Sequence, residues 1–233
     1  MNKLKVCENV YIDKIYVINL YFQVELKKEM IDQLTKYNLI NYVVWIDAVY
    51  NSKNPAYGCS LSHHKAYKDM KDNNYDACMI LEDDCILKEF PFKIEEPINE
   101  NWGLLYGGYL CYEEKSYKYN KSFLRLIDAR SSHCYIINKT ILNYVKQMTL
   151  IENIPIDIRL IHPVQKAVPC YGFYPIKAHQ KPHKSTTCPH EFIITDWEKI
   201  MNDKAFICYN NLITDELLEI TNSWNKHYKI TNK

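Results

Sequence analysis

The stretch Cys78-Met79-Ile80-Leu81-Glu82-Asp83-Asp84-Cys85-Ile86-Leu87 constrains this chain more than any other. A short apolar run without alternation reads as a buried strand. It breaks off in three consecutive acids, and a second apolar run follows at once. Adjacent carboxylates repel one another and are costly to hold beside a core. A positive partner offsets that cost, and a hard divalent cation that also touches phosphate oxygens serves best. Sheets of the α/β class place their ligands where such strands emerge. A solvated turn with one capping acid is the plainer reading of the triplet.

The flanking segments fit an α/β sheet. Lys14-Ile15-Tyr16-Val17-Ile18-Asn19-Leu20 is β-rich and apolar, which predicts a central strand. Glu25 to Tyr37 carries Leu26, Met30, Ile31 and Leu34 at helical spacing, and Asn41 to Asp47 predicts a second strand. Strand, helix and strand at this spacing make a βαβ unit with parallel pairing. A helix is expected from Gly58 to about Lys71, capped by Ser60 or Ser62, with His63 near its start. Such a helix end is an anion site; the plainer reading is a capped helix with His63 packed in the core.

Downstream, Trp102 to Gly108 predicts a strand whose glycine pair permits close approach. Tyr109 to Lys121 reads as a mobile polar loop. Two strands are expected over 123–128 and 132–138, and a helix from Lys139 to Met148. Asp157 reads most simply as the N-cap of a short helix. Lys166 to Ile176 reads as an edge strand because it carries Pro169 and Pro175. C-terminal helices are expected over 196–204 and 214–227.

Charge excludes some functions. Lys and Arg number 29 against 28 Asp and Glu, a net charge of +1, so no nucleic-acid groove is indicated. No run is apolar enough for a transmembrane helix or a signal-peptide core, which leads to an expected cytoplasmic location. The nine cysteines form no CxxC pair, and several lie in apolar runs, so reduced thiols are expected. His179, His183, Cys188 and His190 invite a zinc reading, though their spacing matches no familiar finger.

Several pieces then fall into one order. They are Tyr16-Val17-Ile18-Asn19-Leu20, Ile46-Asp47-Ala48-Val49, Gly58-Cys59-x-x-Ser62-His63 and Leu81-Glu82-Asp83-Asp84. Trp102 to Tyr106, Ser132 to Ile137, Pro155-x-Asp157, and Gln180 with Ser185 complete the series. Over roughly residues 14–187 this set resembles glycosyltransferase family 25, which holds lipopolysaccharide β-galactosyltransferases and collagen galactosyltransferases. The resemblance implies a fold of the α/β class and GT-A type, a Rossmann-like mixed sheet flanked by helices. It implies one glycosyltransferase domain: a nucleotide-sugar half over 14–110, an acceptor half over 111–190 and C-terminal helices over 191–233. Apart from the resemblance, the composition, with its many Asn, Lys and Ile, points to the AT-rich genome of a bacterium or a large virus.

Carried over by position, Asp84 would bind Mn²⁺ or Mg²⁺, with Glu82 and His179 in the metal shell. Asn19 and Leu20 would lie by the base of a UDP-sugar, and Ser62 and His63 by its pyrophosphate or sugar. Glu82 and Asp83 would touch the metal or the ribose. Gln180 and Ser185 match the last motif, and Asp157 is the candidate base. The activity implied is metal-dependent inverting transfer of galactose or glucose to a glycan or a hydroxylated protein. Members carry arginines after Asn-Leu, where this chain has Tyr21-Phe22-Gln23-Val24-Glu25. Lys27 or Arg130 would then supply the positive charge. Rival readings are a metal-dependent phosphohydrolase, a non-catalytic scaffold of the same fold, and a zinc-binding interaction module.

Overall fold

A computed structural model describes residues 2–111, 116–145 and 155–181. The chain opens with a hairpin of β1 (Leu4–Cys7) and β2 (Val10–Ile12), turned at Asn9 with a positive φ of 60°. β3 (Lys14–Asn19), α1 (Val24–Lys36) and β4 (Val43–Asp47) then form the expected βαβ unit, β3 and β4 pairing in parallel. α2 (Pro55–Asp72) leads to β5 (Ala77–Glu82), which pairs in parallel with the other side of β3. β6 (Cys85–Leu87), β7 (Leu104–Tyr106), β8 (Leu110–Cys111), β9 (Ser116–Lys118), β10 (Phe123–Leu126), β11 (Ala129–Arg130) and β12 (Cys134–Asn138) follow. A 3₁₀ turn, Lys139–Ile141, leads into α3 (Leu142–Val145). α4 (Ile156–Arg159) continues as a π-helical turn, Leu160–Gln165, and then come β13 (Cys170–Phe173) and β14 (Ala178–Gln180).

Eight strands make one mixed sheet in the order β4-β3-β5-β12-β7-β13-β10-β9. This is the α/β fold, a mixed sheet flanked by helices, that the sequence implied. Strand alternation sends successive side chains to opposite faces, and both faces are covered. Tyr16, Ile18, Cys78, Ile80, Tyr106, Tyr135 and Ile137 pack under α2, α3 and α4 through Ala66, Tyr67, Met70, Val145 and Ile156. Ile15, Val17, Met79, Leu81, Leu105 and Ile136 pack on the other face against Met30 and Leu34 of α1 and Val6, Val10 and Ile12 of the hairpin. Burial on both faces explains why these strands read as continuous apolar runs.

Several boundaries differ from the sequence reading. α2 begins earlier than expected: Asn54 is its N-cap, its side chain accepting from Tyr57 N at 3.1 Å. Ser60 and Ser62 therefore lie inside the helix, because Pro55 at its first turn needs no N–H partner. The region from Tyr109 holds short strands β8 and β9. β13 is no edge strand; it lies between β7 and β10, with Pro169 and Pro175 just outside its paired residues. Pro155, not Asp157, is the N-cap of α4. Gly107 and Gly108 have no positive φ; their lack of a side chain makes room for Cys134 and His133. Among the described residues no helix is long and apolar enough to cross a membrane.

Candidate active site

The carboxyl ends of β3, β4 and β5 open onto one cleft. In the parallel register Asn19 stands beside Asp47, and Ile18 beside Glu82. The connection from β4 to α2 forms one wall, and the first turns of α2 form another. Ser62 fixes this connection: its Oγ accepts from Val49 N at 2.8 Å and donates to Gly58 O at 2.8 Å. The cleft spans about 570 Å³, its open mouth included, and Leu20, Tyr50, Asn51, Cys59, Ser62, His63, Glu82 and Asp83 line it. Its mouth is aromatic. Phe22 packs edge-on against both Tyr21 and Tyr50, at 5.1 and 5.2 Å between ring centres. All three rings are exposed.

A buried polar chain runs beneath the floor. The Tyr67 and Tyr135 hydroxyls lie 2.5 Å apart, and Tyr135 Oη lies 2.8 Å from His63 Nδ1. His63 Nε2 reaches Glu82 Oε1 at 3.3 Å, and Ser132 Oγ donates to the same oxygen at 2.5 Å. The buried tyrosine hydroxyls thus have the partners that burial demands. Burial works against ionisation of Glu82, but the bonds and charge of His63, with Ser132, hold its carboxyl below the ordinary value.

The acidic turn divides its three side chains. Asp83 lines the cleft, its Oδ2 accepting from Asn19 Nδ2 at 2.6 Å. Asp84 is buried, its Oδ2 accepting from Gln180 Nε2 at 2.8 Å. Burial, then the charges of Glu82 and Asp83, push the Asp84 carboxyl well above its usual range. Converging carboxylates of this kind suit an oxygen-seeking divalent cation, and Glu82 and Asp83 offer theirs to the cleft. His179 sits in β14 opposite Ile86. It stands outside the one set of three His, Cys or carboxylate donors that approach within 4.8 Å among the described residues, which is Cys59, His63 and Glu82.

Asp157 lies in the first turn of α4 and is partly buried. Its Oδ2 accepts from Ser131 N at 3.1 Å and its Oδ1 from Ile158 N at 2.8 Å. Burial raises its pKa against those two bonds and the Arg130 charge, and Glu82 adds to the rise. Burial and then the charges of Glu82, Asp157 and Asp84 also raise the Cys59 thiol. The acid from the second half of the chain therefore belongs to the same electrostatic neighbourhood as the acids after β5.

The structure thus brings Leu20, Ser62, His63, Glu82 and Asp83 to the cleft lining. Asn19 and Gln180 act on the acids from behind, and Ser185 lies outside the described residues, as do His183, Cys188 and His190. Lys27 is turned away onto the Trp45 ring, at 4.8 Å from its centre. Arg130 lies beside Asp128 at 3.5 Å. Cys59 and Tyr50 were not singled out from the sequence as site residues. The i, i+4 spacing of Cys59 and His63 within one helix was the available signal for the first.

Comparison with solved structures yields distant likenesses. The protein A197 from STIV is 15% identical with a TM-score of 0.44, covering 76% of this chain and 98% of its own. A glycosyltransferase involved in glycosylation of the major capsid of PBCV-1 is 11% identical with a TM-score of 0.36, over 58% of this chain and 64% of its own. A Drosophila β1,4-galactosyltransferase 7 mutant in complex with manganese, UDP-Gal and xylobiose is 15% identical with a TM-score of 0.33, over 58% and 51%. No curated protein matches the chain. Residues 54–158, the segment that builds α2, the acidic turn and Asp157, match the model of glycosyltransferase family 25 (LPS biosynthesis protein), the family that the ordered motifs resemble.

Proposed function

We propose that the protein is a metal-dependent, inverting glycosyltransferase that moves a hexose, galactose or glucose, from a UDP-sugar to a hydroxyl of a glycan or hydroxylated protein. The observation that carries this reading is the cleft itself. Carboxylates Glu82 and Asp83 stand at the ends of parallel strands, facing the first turns of α2. Leu20 and the Tyr50 ring offer apolar surface to a uracil base at the mouth. The amino end of α2 favours the diphosphate through its dipole. Glu82, Asp83 and Asp84 would hold Mn²⁺ or Mg²⁺, which supplies neutralising charge to the leaving diphosphate.

Asp157 is the base in this reading. Its raised pKa brings it nearer to the range in which a carboxylate removes a hydroxyl proton efficiently. It comes from the segment after β12, assigned here to the acceptor half over 111–190, whereas the donor acids come from the half over 14–110. An acceptor lying between the two would meet the sugar from the face opposite the diphosphate. His63 and Ser132 orient Glu82 so that its second oxygen is left for ligands.

Calorimetric titration of UDP, with and without Mn²⁺, into wild type and Asp84→Ala tests this. Metal-dependent binding that the substitution abolishes is expected. Equal binding by both proteins, or none by either, would overturn the donor assignment.

A further inference from the structure

We propose that Cys59, His63 and Glu82 form a site for a borderline-soft divalent metal of the zinc class on the cleft floor, beside the oxygen-only ion that a diphosphate needs and sharing Glu82 with it. Cys59 and His63 are four residues apart on α2 and so share one face of the helix. Glu82 meets them from the end of β5. Their Sγ, ring nitrogen and carboxylate oxygen all lie within 4.8 Å of one another. The His63 Nε2 to Glu82 Oε1 distance is 3.3 Å, long beside an ordinary hydrogen bond. It equals the edge of a tetrahedron: two ligand atoms about 2.0 Å from a zinc ion stand about 3.3 Å apart.

The surroundings support ligation as well. Metal-bound histidines place their other ring nitrogen on a fixed partner, and His63 Nδ1 has the Tyr135 hydroxyl at 2.8 Å. When Nε2 gives its lone pair to a metal, Nδ1–H donates to Tyr135, which donates in turn to Tyr67; this hydroxyl chain runs in either direction. Ser132 Oγ donates to the same Glu82 oxygen and steadies it. All three ligands line the cleft, so the fourth position faces it. Three protein ligands with one open position are the mark of a zinc site that takes water or a ligand oxygen. Thiolate with imidazole selects zinc and its neighbours over Mg²⁺ or Mn²⁺. The ligand class for the open position is an oxyanion, phosphate or carboxylate. The site stands independently of the UDP-sugar reading, because a chain that binds no UDP would still bind metal here.

The test is titration of Co²⁺, then competing Zn²⁺, into the metal-free full chain, read by absorbance and by proton release. One equivalent is expected, with a thiolate-to-cobalt charge-transfer band and release of the thiol proton. Cys59→Ser should abolish the band. Tyr135→Phe should keep the band but weaken Zn²⁺ binding by about 10- to 100-fold. Absence of any band with wild type would overturn the proposal. So would a band that survives Cys59→Ser and falls with Cys188→Ser, which would place the metal elsewhere.

Discussion

Asn19 and Asp83 are tied together across two neighbouring parallel strands, Asn19 Nδ2 donating to Asp83 Oδ2 at 2.6 Å. The same amide donates to Gln23 O at 3.2 Å, so one buried side chain fixes both the acidic turn and the loop beside it. A hydrogen bond to a charged group contributes about 1.5–3 kcal/mol. Asn19→Ala should lower stability by that order, and Asn19→Asp by more, since it sets two carboxylates face to face. Urea midpoints of the three proteins check this; an alanine variant as stable as wild type would contradict it.

Asp157 receives two backbone N–H groups, one on each carboxylate oxygen, and feels the charge of Glu82. Asp157→Asn preserves volume but cannot take a proton. If Asp157 is the base, kcat should fall by about 10²–10⁴-fold while UDP affinity stays within error. Comparison of turnover with calorimetry separates these effects. Unchanged turnover would remove the residue from the mechanism.

Gly58 lies against the connection that walls the cleft. A Cβ there would stand 2.4 Å from the Val49 carbonyl oxygen and 3.2 Å from Asn51 Cβ. In an open helix, Gly→Ala gains about 1 kcal/mol. Here the backbone oxygen blocks that gain, and overpacking costs about 1–3 kcal/mol. Gly58→Ala should therefore lower the melting temperature and weaken UDP binding, because Val49 to Asn51 must shift.

His133 is fully buried, and burial lowers its pKa from 6.5 to about 4, against the Glu82 charge and the Ala178 carbonyl, which favour the proton. The unfolded chain takes up this proton near pH 6.5 and the folded one only near 4. Its contribution to stability is therefore complete above about pH 6.5 and is lost as the pH falls toward 4. The loss is on the order of 3 kcal/mol. Denaturation curves at pH 7 and 4.5 should show a smaller difference for His133→Gln than for wild type.

The sequence made the first half of the sheet readable because its strands are buried on both faces. Ile15 to Ile18 and Ala77 to Leu81 are unbroken apolar runs, and the 3.6-residue spacing over Glu25 to Tyr37 marks a helix. The acidic triplet was readable for a similar local reason: three charges beside a core demand an explanation. The role of Asn19 was not readable, since its partner lies 64 residues away. Nor was the His63 contact with Glu82, which exists only because β5 and α2 pack together. Asn54 was overlooked as a cap because the serines that follow are equally good candidates in isolation. β13 was misplaced because prolines beside a strand look, in sequence, like prolines within it.

The position of β13 also affects how the protein is made. Its four residues, 170–173, pair with β7 on one side and β10 on the other. Both partners leave the ribosome some 45 residues or more before it does, and until it arrives each presents an open edge. Open edges recruit other strands. During synthesis the nascent chain must therefore keep a slot vacant in the middle of its sheet, and a protein stopped short of residue 170 would retain the acids of the cleft yet lack the strand that joins the two ends of the sheet.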